Sequence, residues 1–236
     1  MNLIITDNEF LFQNIISILK KKEILDKFEF VTTSKKINII SKINLREEHF
    51  VEALISKYTR VFSIHCQQIF PPKLVKAVKC YNLHPGYNPI NRGWYPQVFA
   101  IINNRSVGAT LHEIDLELDN GPIIERRLLE INLHEDSKTV YDKILNLELA
   151  IFENNIQKIL GNDYETITPE TEGYIYHKSD FNNLTHIDLN EKGTFLDFYN
   201  RLRALNFPGY KNAYITDPET GSKIHLSLNI VSDKAN

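Results

Sequence analysis

Residues 79–97 read KCYNLHPGYNPINRGWYPQ, in which an apolar run passes directly into polar, aromatic, Gly and Pro residues. The run at 79–84 predicts a strand, and the Gly and Pro residues behind it predict a loop. Similar runs at 2–6, 28–33 and 61–65 predict three more strands, and helical patterns separate them. Alternating strands and helices predict an open α/β sheet that is largely parallel in its first half.

The rest of the chain extends this pattern and then changes in composition. Further helices are predicted at 9–22, 46–58, 72–77, 95–103 and 137–160, and further strands at 107–114 and 122–131. Ser137 is the expected cap of the longest helix, and Gly161 lies just past its expected end. Beyond Gly161 the chain is more polar, and the predicted elements are a strand at 174–177, a helix at 195–205 and strands at 211–216 and 223–231. We therefore expect a main domain over 1–162, and a linker with a small α+β subdomain over 163–236.

Composition excludes several classes of protein. The 236 residues are 42% hydrophobic, and 27 Lys and Arg stand against 30 Asp and Glu, for a net charge of −3. This balance describes a globular chain and argues against tight binding to nucleic-acid phosphates. Cys66 and Cys80 form no C-x-x-C motif, so a reducing, cytoplasmic setting is expected. No signal-peptide pattern or bilayer-length apolar run occurs, so no membrane association is expected.

Common nucleotide and hydrolase motifs are missing from the sequence. The first strand is not followed by G-x-G-x-x-G, and neither a G-x-x-x-x-G-K-S/T loop nor a G-x-S-x-G elbow occurs. An α/β fold here therefore does not imply NAD, ATP or serine hydrolase chemistry.

Asn82 and His84 lie at the end of the strand predicted at 79–84, where open α/β sheets bind ligands. Because they are two residues apart, a continuous strand points both side chains to the same face. An amide and an imidazole on one face form a candidate oxyanion donor and acid/base pair. Spacing alone leaves open that both merely satisfy backbone groups of the loop.

A second cluster comprises His112, Asp115 and Asp119, in the stretch LHEIDLELDNG. Together with His84 these side chains could be imagined as a metal site, but their spacing matches no closed zinc pattern, and we expect none. Residues 119–122 are typical of a turn. The functional alternative is that the Asp119 carboxylate orients His84 and stabilises its protonated form.

The two clusters together resemble a known family, the 10-formyltetrahydrofolate-dependent formyltransferases. The resemblance rests on Asn82-x-His84, Pro89, Arg92-Gly93, Pro96, Gly108-x-Thr110, Asp115 and Leu118-Asp119-x-Gly121, in this order and with nearly constant spacing. It implies a formyltransferase-type open Rossmann-like sheet with helices on both faces, plus a small C-terminal β-rich appendage. It also implies catalytic roles for Asn82, His84 and Asp119, with 10-formyltetrahydrofolate as cosubstrate and no metal.

Within this family, residues 82–97 are most similar to the nucleotide-sugar N-formyltransferases of the dTDP-4-amino-4,6-dideoxyglucose type. The tail is too short for the barrel with which methionyl-tRNA formyltransferases bind tRNA, and residues 203–205 and 210–214 resemble sugar formyltransferases. The implied activity is formylation of a dTDP-4-amino-4,6-dideoxy sugar for O-antigen or lipopolysaccharide biosynthesis. A UDP- or GDP-linked acceptor, a 3-amino sugar and methionyl-tRNA stay open as alternatives. A non-catalytic folate- or nucleotide-binding module and an RNA-binding protein are alternatives from other classes.

The resemblance also assigns ligand contacts. The expected folate contacts are Gln68, Ile69, Phe70, Asp115 and Leu118, although Phe70 could be plain core. The expected nucleotide-sugar contacts are Tyr87, Asn88, Arg92, Trp94, Tyr95 and Arg203. Trp94 could instead be a packing residue at a helix start, and Arg203 a solvated residue on a helix face. Half-apolar strands at 213–215 and 224–231 need a partner surface, so a homodimer through the C-terminal region is expected.

Overall fold

The computed structural model describes residues 1–38, 40–169 and 173–233. The strands in chain order are β1 (Asn2–Thr6), β2 (Phe28–Thr32), β3 (Ser41–Lys42), β4 (Arg60–Ile64), β5 (Lys79–His84), β6 (Arg92–Gly93), β7 (Val107–Glu113), β8 (Ile123–Leu129), β9 (Ile175–Tyr176), β10 (Ala213–Thr216) and β11 (Lys223–Leu226). The α-helices are α1 (Glu9–Lys21), α2 (Glu48–Lys57), α3 (Pro72–Ala77), α4 (Pro96–Asn103), α5 (Ser137–Gly161), α6 (Lys178–Thr185) and α7 (Phe195–Leu205).

Seven strands form the main sheet, in the order β3-β2-β1-β4-β5-β7-β8. The first five run parallel to their neighbours, and β7 and β8 are antiparallel. The predicted α/β sheet, parallel in its first half, is confirmed. The β5–β7 register pairs Asn82 with His112 and His84 with Thr110. Asn82 and His112, which belong to the two clusters identified in the sequence, therefore lie side by side on neighbouring strands.

Helices cover both faces of the sheet because the central strand is buried on both sides. All of β1 is buried, and its side chains alternate between two cores. Ile4 packs with α1 and α5, whereas Leu3 and Ile5 pack with α2 and α3. Each fully buried side chain of this size contributes about 1.5–3 kcal/mol relative to exposure, so the two apolar layers fix the sheet from which the site projects.

The ends of α5 differ from the prediction. Asp136, rather than Ser137, is the cap, because its carboxylate accepts the backbone N–H of Thr139. Gly161 is the last helical residue, and Asn162 follows in the left-handed region with φ of +54°. Asn tolerates this conformation through its short polar side chain, so it replaces Gly in the expected position.

The C-terminal part is small and has its own apolar cluster of Ile187, Leu205 and Ala213. The helix α7 packs on α4, and β10 and β11 form an antiparallel pair. The strands are shorter than predicted, and the sequence analysis missed α6, whose sequence KSDFNNLT is polar. A capping box between His177 and Asp180 starts that helix. Part of the predicted linker, 170–172, lies outside the described residues, as does 234–236 at the end of the predicted subdomain.

Candidate active site

The structure brings Asn82, His84 and Asp119 together at the end of β5. Asn82 Nδ2 donates to Asp119 Oδ1 at 2.9 Å, and His84 Nδ1 lies 3.6 Å from Asp119 Oδ2. The two β5 side chains reach the same carboxylate because they share one face of the strand. The connection between β7 and β8 returns to that face and supplies Asp119. A carboxylate between an amide and an imidazole is an arrangement for oriented proton transfer.

Backbone geometry fixes Asp119 in place. Its φ is +48°, a left-handed conformation that Asp adopts more readily than bulky residues. The N–H of Gly93 donates to Asp119 Oδ2 at 3.0 Å, and Asn88 Nδ2 donates to the Asp119 carbonyl at 2.9 Å. Gly121 closes the same turn, since an added Cβ would lie 1.9 Å from the Glu113 carbonyl oxygen. The carboxylate is therefore held from the loop on one side and from its own turn on the other.

The tautomer of His84 follows from its contacts. Its Nε2 lies 2.8 Å from the backbone carbonyl oxygen of Asn91. A carbonyl oxygen only accepts hydrogen bonds, so Nε2 carries a proton and donates. The other nitrogen, Nδ1, faces the Asp119 carboxylate.

His112 is a member of the site whose role the sequence analysis did not predict. It is 1% exposed, and its Nδ1 donates to the Glu113 carbonyl at 2.7 Å. Its Nε2 accepts from Asn82 Nδ2 at 3.3 Å, so the neutral imidazole holds one N–H of the Asn82 amide. Burial lowers the pKa of His112, against the opposing effect of Asp119, which agrees with a neutral ring. The role of His112 follows from its position directly opposite Asn82 in the β5–β7 pair.

Asp119 is ionised despite its burial. Burial raises its pKa, but the neighbouring His84 ring, the hydrogen bond from the Gly93 N–H and the Arg92 guanidinium act in the opposite direction. The net result is a pKa below the ordinary value for aspartate. The site thus pairs an ionised carboxylate with an imidazole, the side chain that serves most often as acid and base in enzymes.

Comparison with known proteins identifies the family. The model of the family described as "Formyl transferase" matches residues 41–156, and that of the "N-formyltransferase dimerization C-terminal domain" matches residues 180–232. The dTDP-4-amino-4,6-dideoxyglucose formyltransferase of Mycobacterium tuberculosis is 42% identical over 184 residues, which cover 78% of each chain. This chain belongs to the formyltransferase family. The resemblance drawn from its sequence is confirmed.

Solved formyltransferases share the whole architecture. A sugar N-formyltransferase from Shewanella superposes with a TM-score of 0.93 at 33% identity, over 99% of this chain and 98% of that one. A 4-N formyltransferase from Francisella tularensis gives a TM-score of 0.90 at 36% identity, over 98% of both chains. A Helicobacter canadensis N-formyltransferase, solved with folinic acid and dTDP-3-aminofucose, gives 0.73 at 25% identity over 87% of this chain and 80% of that chain. The predicted formyltransferase-type fold with its C-terminal appendage is confirmed.

In this formyltransferase the five expected folate contacts fall into different environments. Ile69 is 79% exposed, and Leu118 is also exposed. Gln68 accepts the backbone N–H of Leu45 at 2.7 Å, and Asp115 accepts that of Glu117 at 2.9 Å. Phe70 is instead buried in a core cluster of the domain, which favours the alternative interpretation of this residue.

Most of the expected nucleotide-sugar contacts hold the loop behind β5. Asn88 and Arg92 are buried, and Arg92 donates to Asn120. The Tyr95 ring packs 4.3 Å from that of Phe181 on α6. The other two rings lie beneath cations, Trp94 under Lys178 and Tyr87 under Arg126. Trp94 is thus in contact with the C-terminal part, at the start of α4.

Arg203 is not a solvated residue on a helix face, so that interpretation is wrong, whereas its contact with the nucleotide sugar stays a prediction. It is 5% exposed, and its Nη1 donates to the carbonyls of Asn132 and Glu135 at 2.9 and 2.7 Å. Its guanidinium ties α7 to the segment before α5. The residue pattern of α7 could not reveal these hydrogen bonds, because the acceptors are backbone carbonyls 68 and 71 residues away in the sequence.

For a metal site and for a membrane-spanning helix, the structure bears only on the residues that it describes. There, no group of three or more His, Cys, Asp or Glu side chains is arranged to hold a metal ion. Within the same residues, no helix combines the length and apolar character needed to cross a bilayer.

Cys66 and Cys80 are free thiols, and burial raises the pKa of each to about 12.

Proposed function

We propose that this formyltransferase transfers the formyl group of 10-formyltetrahydrofolate to the 4-amino group of dTDP-4-amino-4,6-dideoxyglucose. The observation that carries the proposal is the Asp119 carboxylate bound by Asn82 and 3.6 Å from His84 Nδ1. The named substrate of the 42% identical mycobacterial relative supports the acceptor, as does the 4-N specificity named for the Francisella structure.

The protein must assist the reaction at three points. The acceptor amine must lose a proton, the tetrahedral intermediate carries an oxyanion, and the folate nitrogen must be protonated before it leaves. His84 is the proton carrier in this proposal, through Nδ1, because its Nε2–H is engaged by Asn91. Asp119 stabilises the imidazolium that forms. A carboxylate held ionised by its surroundings is suited to that role.

Asn82 supplies the oxyanion donor. Both N–H groups of its amide are engaged, one by Asp119 at 2.9 Å and one by His112 at 3.3 Å. The longer bond is the weaker, so we propose that this N–H turns from His112 to the oxyanion as negative charge develops. A donor of this kind is worth about 2.7–4 kcal/mol in enzymes from which it has been removed.

Folate binding is proposed at the apolar surface of Ile69 and Leu118. Both side chains are exposed, although burial would stabilise them by about 25 cal/mol per Å². A folate ring that covers them removes that surface from water. The Helicobacter canadensis relative, solved with folinic acid and a dTDP sugar, supports a folate cosubstrate.

The acceptor assay tests this proposal. Purified protein is incubated with 10-formyltetrahydrofolate and one nucleotide sugar at a time, and the formamide product is detected by mass spectrometry. The panel contains the dTDP-4-amino sugar, its 3-amino isomer and UDP- and GDP-linked 4-amino sugars, with methionyl-tRNA as a separate acceptor. We expect the highest kcat/KM for the dTDP-4-amino sugar. A higher value for any other acceptor contradicts the proposed substrate.

A homodimer through the C-terminal region is also proposed. The match to a dimerization domain over 180–232 supports it. Large apolar side chains there are exposed, with Phe195 at 86% and Val231 at 80%. Light scattering is expected to give a dimer, and Phe195→Glu to weaken it if α7 lies in the interface. A monomeric wild-type protein at micromolar concentration contradicts the dimer.

The remaining parts of the proposal concern domains and setting. We propose that 1–162 form the catalytic domain, and that 163–236 form a linker and the small subdomain. The product serves surface polysaccharide such as O-antigen in this proposal. Free thiols and a folate cosubstrate support a reducing, cytoplasmic setting. Cell fractionation of the expressed protein tests the last point.

A further inference from the structure

Residues 173–177, here called the strap, pair with the loop that follows the catalytic strand. Within the strap, β9 lies parallel to β6. The N–H of Arg92 donates to the Tyr174 carbonyl at 3.1 Å, and that of Trp94 donates to the Tyr176 carbonyl at 2.8 Å. Between them, the N–H of Gly93 points the other way and donates to Asp119. Gly93 thus lies between the strap and the catalytic carboxylate.

Glycines mark how closely the strap approaches the loop. A Cβ on Gly173 would lie 1.8 Å from the Pro89 carbonyl oxygen, and one on Gly93 would lie 2.3 Å from the Tyr176 carbonyl oxygen. Both residues have φ between +20° and +160°, at +68° and +86°. Such contacts admit only glycine, so the sequence is adapted at both positions to bring the two backbones together.

Side chains anchor the strap to the main domain. The Tyr176 ring stacks on Phe99 of α4, with centroids 3.9 Å apart and planes within 3°. Its hydroxyl accepts from Asn103 and Arg105, each at 3.1 Å. The Arg105 guanidinium also lies 4.2 Å from the Tyr174 ring. These contacts hold the strap against α4 at one side while it holds the loop at the other.

We infer that the strap positions the catalytic Asp119 by fixing the Gly93 N–H. The inference rests on the proposed function, in which Asp119 stabilises the charged His84. The strap leads directly into α6, and the region matched to the dimerization domain begins at residue 180. Phe181 of α6 packs on Tyr95, only two residues beyond Gly93. The alignment of the catalytic carboxylate is thereby tied to the C-terminal part of the chain.

The test compares Gly173→Ala with Gly221→Ala in the full chain. Gly221 also has a positive φ, of +71°, but an added Cβ there meets nothing within 4 Å, so it controls for backbone strain alone. Tyr176→Leu is a second strap variant that keeps Gly173 and removes the stacked ring. Hydrogen exchange of residues 88–95, the pKa of the Asp119 carboxyl by ¹³C NMR, and kcat with both KM values are measured for each variant.

The strap variants are expected to show faster exchange at Arg92 and Trp94 and a higher pKa of Asp119, because a hydrogen bond to its charged form is weakened. Their kcat should fall about tenfold or more with little change in either KM, since misplacement of a catalytic group acts on the chemical step. Gly221→Ala should match the wild-type protein in every measurement.

Two results overturn the inference. One is faster exchange in the strap variants with an unchanged Asp119 pKa and unchanged kcat. The other is unchanged exchange in both strap variants, which would show that the strap does not hold the loop. A wild-type protein that formylates no acceptor counts against the proposed function alone. Exchange and the carboxyl pKa, which need no substrate, then decide the inference.

Discussion

The proposed catalytic groups and the proposed folate contacts differ in their surroundings. On the catalytic side, Asn82 donates to Asp119 and to His112, and His84 and Asp119 are hydrogen-bonded to backbone groups. The proposed folate contacts Ile69 and Leu118, here called the apolar side, leave apolar surface exposed to water. In the proposed function, the folded chain itself therefore positions the catalytic groups, whereas folate would cover the exposed apolar side chains. Substitutions on the two sides should therefore change different kinetic constants.

The largest expected effect is on turnover from the catalytic side. His84→Ala removes the proton carrier and should lower kcat by about 10²–10⁴-fold. Asn82→Ala removes the oxyanion donor and should lower it by about 10²–10³-fold. Steady-state kinetics check both. His134→Ala is the matched control, because His134 is exposed and the structure assigns it no part in the site. Either catalytic variant with near-normal kcat would contradict the proposed mechanism.

Substitution of Arg203 should lower the stability of the fold and leave turnover nearly unchanged. Arg203→Ala leaves the carbonyls of Asn132 and Glu135 without a buried donor, which should cost about 1–3 kcal/mol of unfolding free energy. Urea unfolding measures this loss, and kcat should stay near the wild-type value. Arg203→Lys should recover part of the stability, because one cation remains near the two carbonyls. A large loss of nucleotide-sugar binding in stable Arg203→Ala would support the contact predicted from sequence.

Stability should also depend on pH through His112. Its pKa is lowered in the folded protein, chiefly by burial, so the unfolded chain binds the proton more readily. The contribution of neutral His112 is fully present above about pH 6.5, its ordinary pKa. It is lost as pH falls through the lower pKa of the folded state. Unfolding free energy measured from pH 8 to pH 5 should therefore fall less steeply in His112→Gln. Identical slopes would refute the neutral, buried imidazole.

The smallest effect is expected on the apolar side. Ile69→Ser reduces the surface that folate would cover, so the KM for 10-formyltetrahydrofolate should rise about three- to tenfold while kcat changes little. Leu128→Ser is the control, since Leu128 is also a large apolar residue that is more than half exposed, but it lies on β8. Equal responses of the two variants would remove the basis for placing folate against Ile69.

Much of this organisation could be predicted from the sequence. The alternation of apolar runs with helical patterns predicted the sheet, because burial on both faces of β1 leaves a continuous apolar strand. The i, i+2 spacing of Asn82 and His84 predicted a shared face. The short strands β3 and β6 were not predicted. A strand at 174–177 was predicted, but its pairing with β6 was not, because that pairing depends on backbone contacts between distant segments.

Contacts across long sequence separations could not be read from local pattern. Asn88 and Arg92 were expected to face the nucleotide sugar, but they bond to the Asp119 turn inside the protein. Phe70 follows two exposed or half-exposed residues, and only the packed core shows that it is buried. Arg203 likewise meets carbonyls far away in sequence. Tertiary packing decides that Phe70 is buried and that Arg203 is not solvated, whereas the nucleotide-sugar contacts of Asn88, Arg92 and Arg203 stay predictions.

The most direct test of the central claim is the formylation assay with ¹³C-labelled 10-formyltetrahydrofolate and dTDP-4-amino-4,6-dideoxyglucose, run with wild-type protein and His84→Ala. Mass spectrometry of the nucleotide sugar gives the outcome. We predict labelled formamide from the wild-type protein and a rate lower by about 10²–10⁴-fold from the variant. Wild-type protein that leaves this sugar unlabelled while formylating another acceptor, or a variant that labels it at the wild-type rate, would contradict the account.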